Sequence, residues 1–298
     1  MRILISGSSG FIGQPLHLSL KEQGHSVTRL VRTQKESSLD TVYWNPEGGV
    51  WDEKSFEGFD TVIHLAGENI VGRWSKRKKK KIYESRVHAT RMLVQYLLKL
   101  KERPKIFISA SAQGFYGDRG DEVLTEASPP GKGFISNVCI DWEEAGQPLH
   151  MRGVRVVNLR FSMVCDPSGG ALQQMARIFK LGLGGNIGTG KQFISWISRN
   201  DLILSVHHIL SHEEITGPVN ICSPETVRQK DFAKTLAKVL QRPCFFVIPS
   251  WVIKIVMGEL GEVLLLSSSN MNPEKLIETG FAFQNLNLEE MFQQFFSK

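Results

Sequence analysis

"ISGSSGFIG", residues 5–13, closes one apolar run and opens another, with glycines at 7, 10 and 13. The run before it, "RILIS" (2–6), has the composition of a buried parallel strand. Residues 11–23 carry Ile12, Leu16 and Leu20 at helical spacing, tolerate Pro15 in the first turn and stop at Gly24. Between strand and helix, Gly7 permits the tight turn, Gly10 lets backbone approach a pyrophosphate, and Gly13 lets helix and strand pack closely. The amides of Phe11 and Ile12 stand at the helix start, where unbonded N–H groups and the helix dipole attract phosphate. Three glycines alone are a weak signal. Set between a strand and a helix, with a second strand "SVTRLVR" (26–32) at the right distance, they point to a dinucleotide site.

The end of that second strand chooses the dinucleotide. An acidic residue about 20 positions past the glycines binds the adenosine ribose hydroxyls of NAD. Here Arg32 takes the place, and no carboxylate follows until Glu36. A guanidinium fork matches the 2′-phosphate of NADP, so NADP is the expected cofactor.

The remaining pattern extends the fold. "TVIHLA" (61–66), "KIFISA" (105–110) and "VRVVNLR" (154–160) read as strands, and residues 82–101 as a long helix between two of them. Strands alternating with helices over the first half imply a doubly wound parallel sheet. After Arg160 the pattern changes. Residues 171–181, 229–240, 249–259 and 286–296 have helical spacing, and "GLGGNIGTG" (182–190) places five glycines in nine positions. That run lacks the Lys-Ser/Thr of a phosphate loop and reads as a sharply turning connection. The expected division is residues 1–164 for cofactor binding and 165–298 for a smaller mixed, substrate-side domain, some of whose segments can rejoin the sheet.

Composition excludes several classes. The 298 residues are 41% hydrophobic and 22% charged, as in globular proteins. Cys139, Cys165, Cys222 and Cys244 lie far apart without metal-ligand spacing and read as buried thiols, so no metal and a reducing, cytoplasmic setting are expected. The longest apolar stretch near the C-terminus, 245–257, is broken by Pro249, Ser250 and Lys254 and is too short for a bilayer. The formal charge of +6 matches the six cations of "KRKKKK" (76–81). Without aromatic interleaving that run reads as a solvated helix face, and no nucleic-acid partner is expected.

"GSSGFIG", "DTVIHLAGENI" and "SASAQGFYG" together resemble the extended short-chain dehydrogenases, the group that holds nucleotide-sugar epimerases and dehydratases. "LAGENI", the basic helix, "SR" at 85–86, "FKLGLGG", "SWI" and the tail are similar to an atypical epimerase-family branch with a small C-terminal domain of unassigned function. The resemblance implies a Rossmann-type sheet and an NADP-dependent oxidoreductase or epimerase-like activity on a small molecule. It implies cofactor contacts at Leu65, Ala66 and Gly67, where small residues admit the nicotinamide half, and at Val164. "RVHAT" (86–90) corresponds to an Asn-Val-x-Gly-Thr helix, with Arg86 in place of the usual Asn. Arg86 is therefore a candidate for the cofactor phosphates or the reacting centre, with an internal ion pair as the alternative.

The same group normally carries Tyr-x-x-x-Lys on the helix that here reads "GKGFISNVCIDWEE" (131–144). In either register the pair is apolar: Phe134 and Val138, or Ile135 and Cys139. Neither can move a proton. Ser111 supplies the substrate-orienting hydroxyl, with Ser109 deeper in the strand. Tyr116 is the candidate donor, with a packing tyrosine of the "YG" turn as the alternative, and a phenol near pKa 10 needs a cation such as Arg86 to act as a base. Glu68, Asp118 and Glu126 are alternatives. "QFISWISRNDL" (192–202) resembles the group's Trp-Ile-His pocket segment with Ser198 in the histidine's place, leaving Trp196 and Arg199 as pocket candidates, with a structural role for the segment and Asp201 as a helix cap as the alternative. A non-catalytic NADP(H) sensor is the competing reading.

Overall fold

The apolar run at the N-terminus forms strand β1 (Arg2–Ser6), and the glycine turn delivers the chain into helix α1 (Gly13–Glu22). The computed structural model describes residues 1–32, 40–46 and 53–296; Glu36 lies outside them. Six more strands join β1: β2 (Ser26–Val31), β3 (Thr41–Tyr43), β4 (Thr61–His64), β5 (Ile106–Ala112), β6 (Arg155–Phe161) and β7 (Gly217–Ile221). All pair in parallel, in the order β7-β6-β5-β4-β1-β2-β3. The order reverses at β1, and the carboxyl ends of β1 and β4 are therefore the place where doubly wound sheets bind nucleotides.

Alternation along each strand divides the core. Ile3, Ile5, Ile63 and Ile108 pack with Leu16 and Leu20 of α1 and with Ile203 and Val206 of helix α5 (Arg199–Ser211). Leu4, Val62 and Phe107 point the other way, onto Leu93, Val94 and Leu97 of helix α2. Lys76–Tyr83, the π turn Glu84–His88 and Ala89–Lys99 run on as this single helix α2. Helix α3 (Phe134–Glu144) covers the same face. Thus α1 and α2 lie on opposite sides of the sheet. Each fully buried Leu or Ile contributes about 1.5–3 kcal/mol to holding the layers together.

The second half is not one separate unit, because α5 and β7 complete the sheet layer. Helices α4 (Gly170–Lys180), α6 (Gln229–Val239) and α8 (Leu288–Phe296) enclose a further core of Leu172, Phe179, Trp196, Phe232, Leu236 and Phe292. The glycine-rich run is the expected turning connection. Gly185–Ile187 pairs with Phe246–Ile248, and a Cβ on Gly185 would lie 2.1 Å from the Phe246 carbonyl oxygen. Helix α7 (Ser250–Met257) follows that pair. The basic run is the first turns of α2, where Lys78, Lys79 and Lys80 pair with Glu68, Glu259 and Glu84. No helix among the described residues is long and apolar enough to cross a membrane.

Candidate functional site

The glycine turn has one side built for protein and one left open. Gly7 has φ +72°, and its absent Cβ would lie 2.8 Å from the Leu65 carbonyl carbon. A Cβ on Gly13 would stand 2.1 Å from the Gly7 carbonyl oxygen. These two glycines let β1, β4 and α1 meet. Gly10 differs. It is exposed, and its only near neighbour is the Gly7 oxygen at 3.2 Å from the Cβ position. The Gly10 amide donates to the Gly7 carbonyl at 3.0 Å, whereas the Phe11 and Ile12 amides have no partner among the described residues. A bare glycine and two free amides at a helix start fit a dinucleotide pyrophosphate. The Phe11 ring turns away to pack beneath Gly169 and Gly170, with the Arg199 guanidinium 5.0 Å from its centroid.

Arg32, just past β2, is exposed and has no ion pair among the described residues. Ser6 and His64 brace the neighbouring strand ends through a 2.7 Å hydrogen bond, and Ser6 Oγ accepts from the Ala66 amide at 3.3 Å. Burial pushes the His64 imidazole down to about 4, so it is neutral. Leu65 and Val164 both pack against the sheet core, with Val164 paired to Ile197. Gly67 is exposed, and its Cβ position lies 3.2 Å from Arg86 Cζ.

Arg86 projects from the π turn of α2. Its Nη1 donates to the Glu68 carbonyl at 3.0 Å, and its guanidinium carbon lies 5.2 Å from the Trp142 ring centroid. No carboxylate pairs with it among the described residues. The Glu68 carboxylate is taken by Lys78 at 2.8 Å, which holds it below the usual range. Glu68 is thus ionised rather than a proton donor near neutrality. The internal-ion-pair alternative for Arg86 finds no partner.

The hydroxyls expected to do chemistry occupy another setting. Ser111 Oγ donates to Glu143 Oε1 at 2.6 Å. Arg160 closes a fork on the same carboxylate, Nε to Oε1 at 2.9 Å and Nη2 to Oε2 at 2.8 Å. Arg160 Nη1 donates to Tyr116 Oη at 2.8 Å, and that hydroxyl donates to Asn220 Oδ1 at 2.6 Å. Asn220 in turn donates from Nδ2 to the Leu124 and Asn272 carbonyls, and its amide donates to Glu126. Tyr116 has no exposed surface, and burial raises its hydroxyl to about 12. The reading of Tyr116 as donor therefore finds no support in its placement, because a neutral phenol has its proton committed to Asn220. Ser111 is similarly committed, at 2% exposure. Asp118 and Glu126 accept from the Ser268 and Asn220 amides.

On α3, Phe134 packs edge-on against Trp74 at 5.5 Å, and Val138 joins it in a cluster with Ile82, Ala110 and Leu260. Ile135 and Cys139 face Gly114, whose Cβ position is 3.1 Å from Ile135 Cγ1 and 3.8 Å from Cys139 Sγ. Both registers are apolar walls, as expected. Burial raises the Cys139 thiol to about 12. The pocket candidates in the second half have structural partners. Trp196 is fully buried in the C-terminal core, and Arg199 pairs with Asp166 at 2.8 Å. The cap of α5 is Ser198, whose Oγ accepts from the Asp201 amide at 3.0 Å. The buried Asp201 carboxylate instead binds the Gln284 and Asn285 amides at 2.8 and 3.0 Å, tying the C-terminal segment to the sheet layer.

Comparison with known proteins agrees with this architecture. Residues 3–222 match the NAD dependent epimerase/dehydratase family, and residues 248–295 match a domain of unknown function, DUF1731. The chain is 36% identical over 298 residues to the epimerase family protein YfhF of Bacillus subtilis, covering 99% of this chain and 97% of that one. It is 34% identical over 289 residues to the epimerase family protein Mb2239 of Mycobacterium bovis, covering 97% and 95%. The crystal structure of human epimerase family protein SDR39U1 (isoform2) with NADPH superposes with a TM-score of 0.89 at 30% identity, over 99% of each chain. A reversal of strand order beside a glycine turn with an exposed Gly10 and matches along the whole chain lead to one conclusion: the protein belongs to the NAD dependent epimerase/dehydratase family, with a DUF1731 domain in its C-terminal part.

Proposed function

We propose that the protein is an NADP(H)-dependent oxidoreductase that works without the Tyr-x-x-x-Lys pair. The observation that carries this reading is the exposed Arg32 just past β2, which has no ion pair among the described residues, together with a glycine turn whose Phe11 and Ile12 amides likewise have no partner among them. The amides receive the pyrophosphate, and Arg32 receives the 2′-phosphate through its planar fork. The human relative with NADPH supports the same cofactor. When bound, the nicotinamide supplies or accepts hydride. Leu65, Ala66, Gly67 and Val164 border it, and the apolar α3 wall excludes water around it. Ser111 and Tyr116 hold the wall in place, and the proton needed by a reduced carbonyl comes from water at the rim.

NADPH is expected to bind at least tenfold more tightly than NADH by fluorescence titration, and Arg32→Ala removes the difference. Equal affinities in the wild type would remove the NADP assignment. A second reading, a non-catalytic NADP(H) sensor, is favoured by the committed hydroxyls of Ser111 and Tyr116. Tight NADPH binding with no oxidation across a panel of small carbonyls would select the sensor.

A further inference from the structure

Among the described residues Arg86 has no ion pair. Its hydrogen bonds there go to backbone carbonyls, Glu68 at 3.0 Å and Ile82 at 3.5 Å. Burial lowers its pKa by more than the nearby Glu68 raises it, as expected of a guanidinium removed from water without a carboxylate in direct contact. Nearby Glu68 is engaged by Lys78, and the adjacent thiol of Cys139 is neutral. Desolvating a charge without a partner is costly, so such a group marks a place where an anion binds.

The cofactor does not supply that anion. Its pyrophosphate has the free amides at the start of α1, on the opposite face of the sheet from α2, and its 2′-phosphate has Arg32. The nicotinamide half carries no negative charge, and when oxidised it carries a positive one. Arg86, beneath Gly67 and against Trp142, is on the nicotinamide side. The cluster it stands against is apolar: Val138 and Leu260 are buried within it, and Leu65, Phe134, Phe161 and Met257, the last from the C-terminal half, are its partly exposed members. Sugar hydroxyls would find few partners on such walls, whereas a hydrocarbon body would fit them.

Resting on the NADP(H) reading above, we infer that Arg86 is the substrate-recognition group of this site and that the substrate class is a small, apolar-bodied carboxylic acid. The carboxylate pairs with the planar guanidinium, whose Nε and Nη2 have no partner among the described residues, and the apolar body lies against the partly exposed Phe134, Phe161 and Met257. The arginine also repels oxidised nicotinamide, so it favours NADPH over NADP⁺ until the acid arrives.

The test uses the whole chain and two probes of equal size, hexanoate and hexanamide. Wild-type protein is first titrated with NADPH and NADP⁺; absence of binding there overturns the cofactor reading rather than this one. The NADP⁺-loaded protein is then titrated calorimetrically with each probe. Hexanoate is expected to bind at least tenfold more tightly than hexanamide. Arg86→Met loses that preference and binds NADP⁺ severalfold more tightly, while Arg86→Lys keeps part of the preference. Thermal melts of both variants separate folding from recognition. Hexanoate and hexanamide binding alike in the wild type, or undiminished hexanoate binding in a folded Arg86→Met, would overturn the inference.

Discussion

The glycine turn and the Ser111–Glu143–Arg160–Tyr116 cluster both sit near the carboxyl ends of the central strands, yet they treat polar groups in opposite ways. At the turn, the Phe11 and Ile12 amides and the Arg32 guanidinium have no partner among the described residues. In the cluster, every one of the four side chains donates to or accepts from another. Unsatisfied donors at an open edge belong to a ligand, whereas satisfied donors in the interior belong to the fold. By that measure the glycine turn is the open, ligand-ready region. The residues that resembled catalytic groups are a brace joining β5, α3, β6 and β7.

Substitutions that cross this division should have the largest effects. Gly13→Val puts carbon 2.1 Å from the Gly7 carbonyl, a backbone clash that no rotamer relieves. It is expected to cost more than about 4 kcal/mol by urea unfolding and to abolish NADPH binding as well. Arg160→Met strips the partner from the buried Glu143 carboxylate, and a loss of about 3–5 kcal/mol is expected. A drop below ~1 kcal/mol would mean the cluster is wetter and looser than the structure shows.

Acid should reach the cofactor side through His64. Its folded pKa is depressed from 6.5 to about 4, so the unfolded chain takes up the proton first. This contribution is fully present above pH 6.5 and is lost as pH falls from there toward 4. About 2 kcal/mol should disappear between pH 6.5 and pH 5. In His64→Gln that part of the pH slope should vanish. At the small end, Lys81→Ala on the exposed helix face should change stability by less than about 0.5 kcal/mol, and nucleic-acid retention should be negligible in both proteins. A strong salt-dependent retention lost in the variant would reassign the basic run.

Much of the fold was legible because its signals are local. The glycine spacing, the apolar runs of β1, β4, β5 and β6, and the long α2 periodicity each follow from neighbouring residues. β3 and β7 were not read, for one physical reason. Both are sheet edges, where a three-residue strand or a Gly-Pro start is tolerated because one side needs no ladder partner. The brace was missed for another reason. Glu143 lies in "DWEE" and Arg160 in "VVNLRF", 17 positions apart, with no motif linking them. The available signal was Arg160 itself, a charge inside an otherwise apolar buried strand that needs a carboxylate partner. Ser198 as cap was legible too, since Ser-x-x-Asp precedes an apolar helix, but it was read as a missing histidine instead.

The division between ligand-facing and fold-facing polar groups is tested most directly by one NADPH fluorescence titration run on Gly10→Leu and Tyr116→Phe beside the wild type. Gly10→Leu fills the open side of the turn, so it should keep its melting temperature within a few degrees and lose at least a hundredfold in NADPH affinity. Tyr116→Phe leaves Asn220 Oδ1 without a partner and Arg160 Nη1 with only the longer bond to the Glu126 carbonyl, so it should lose about 1–3 kcal/mol of stability and bind NADPH as the wild type does. Tight NADPH binding by Gly10→Leu together with a collapse of binding in a folded Tyr116→Phe would contradict the account.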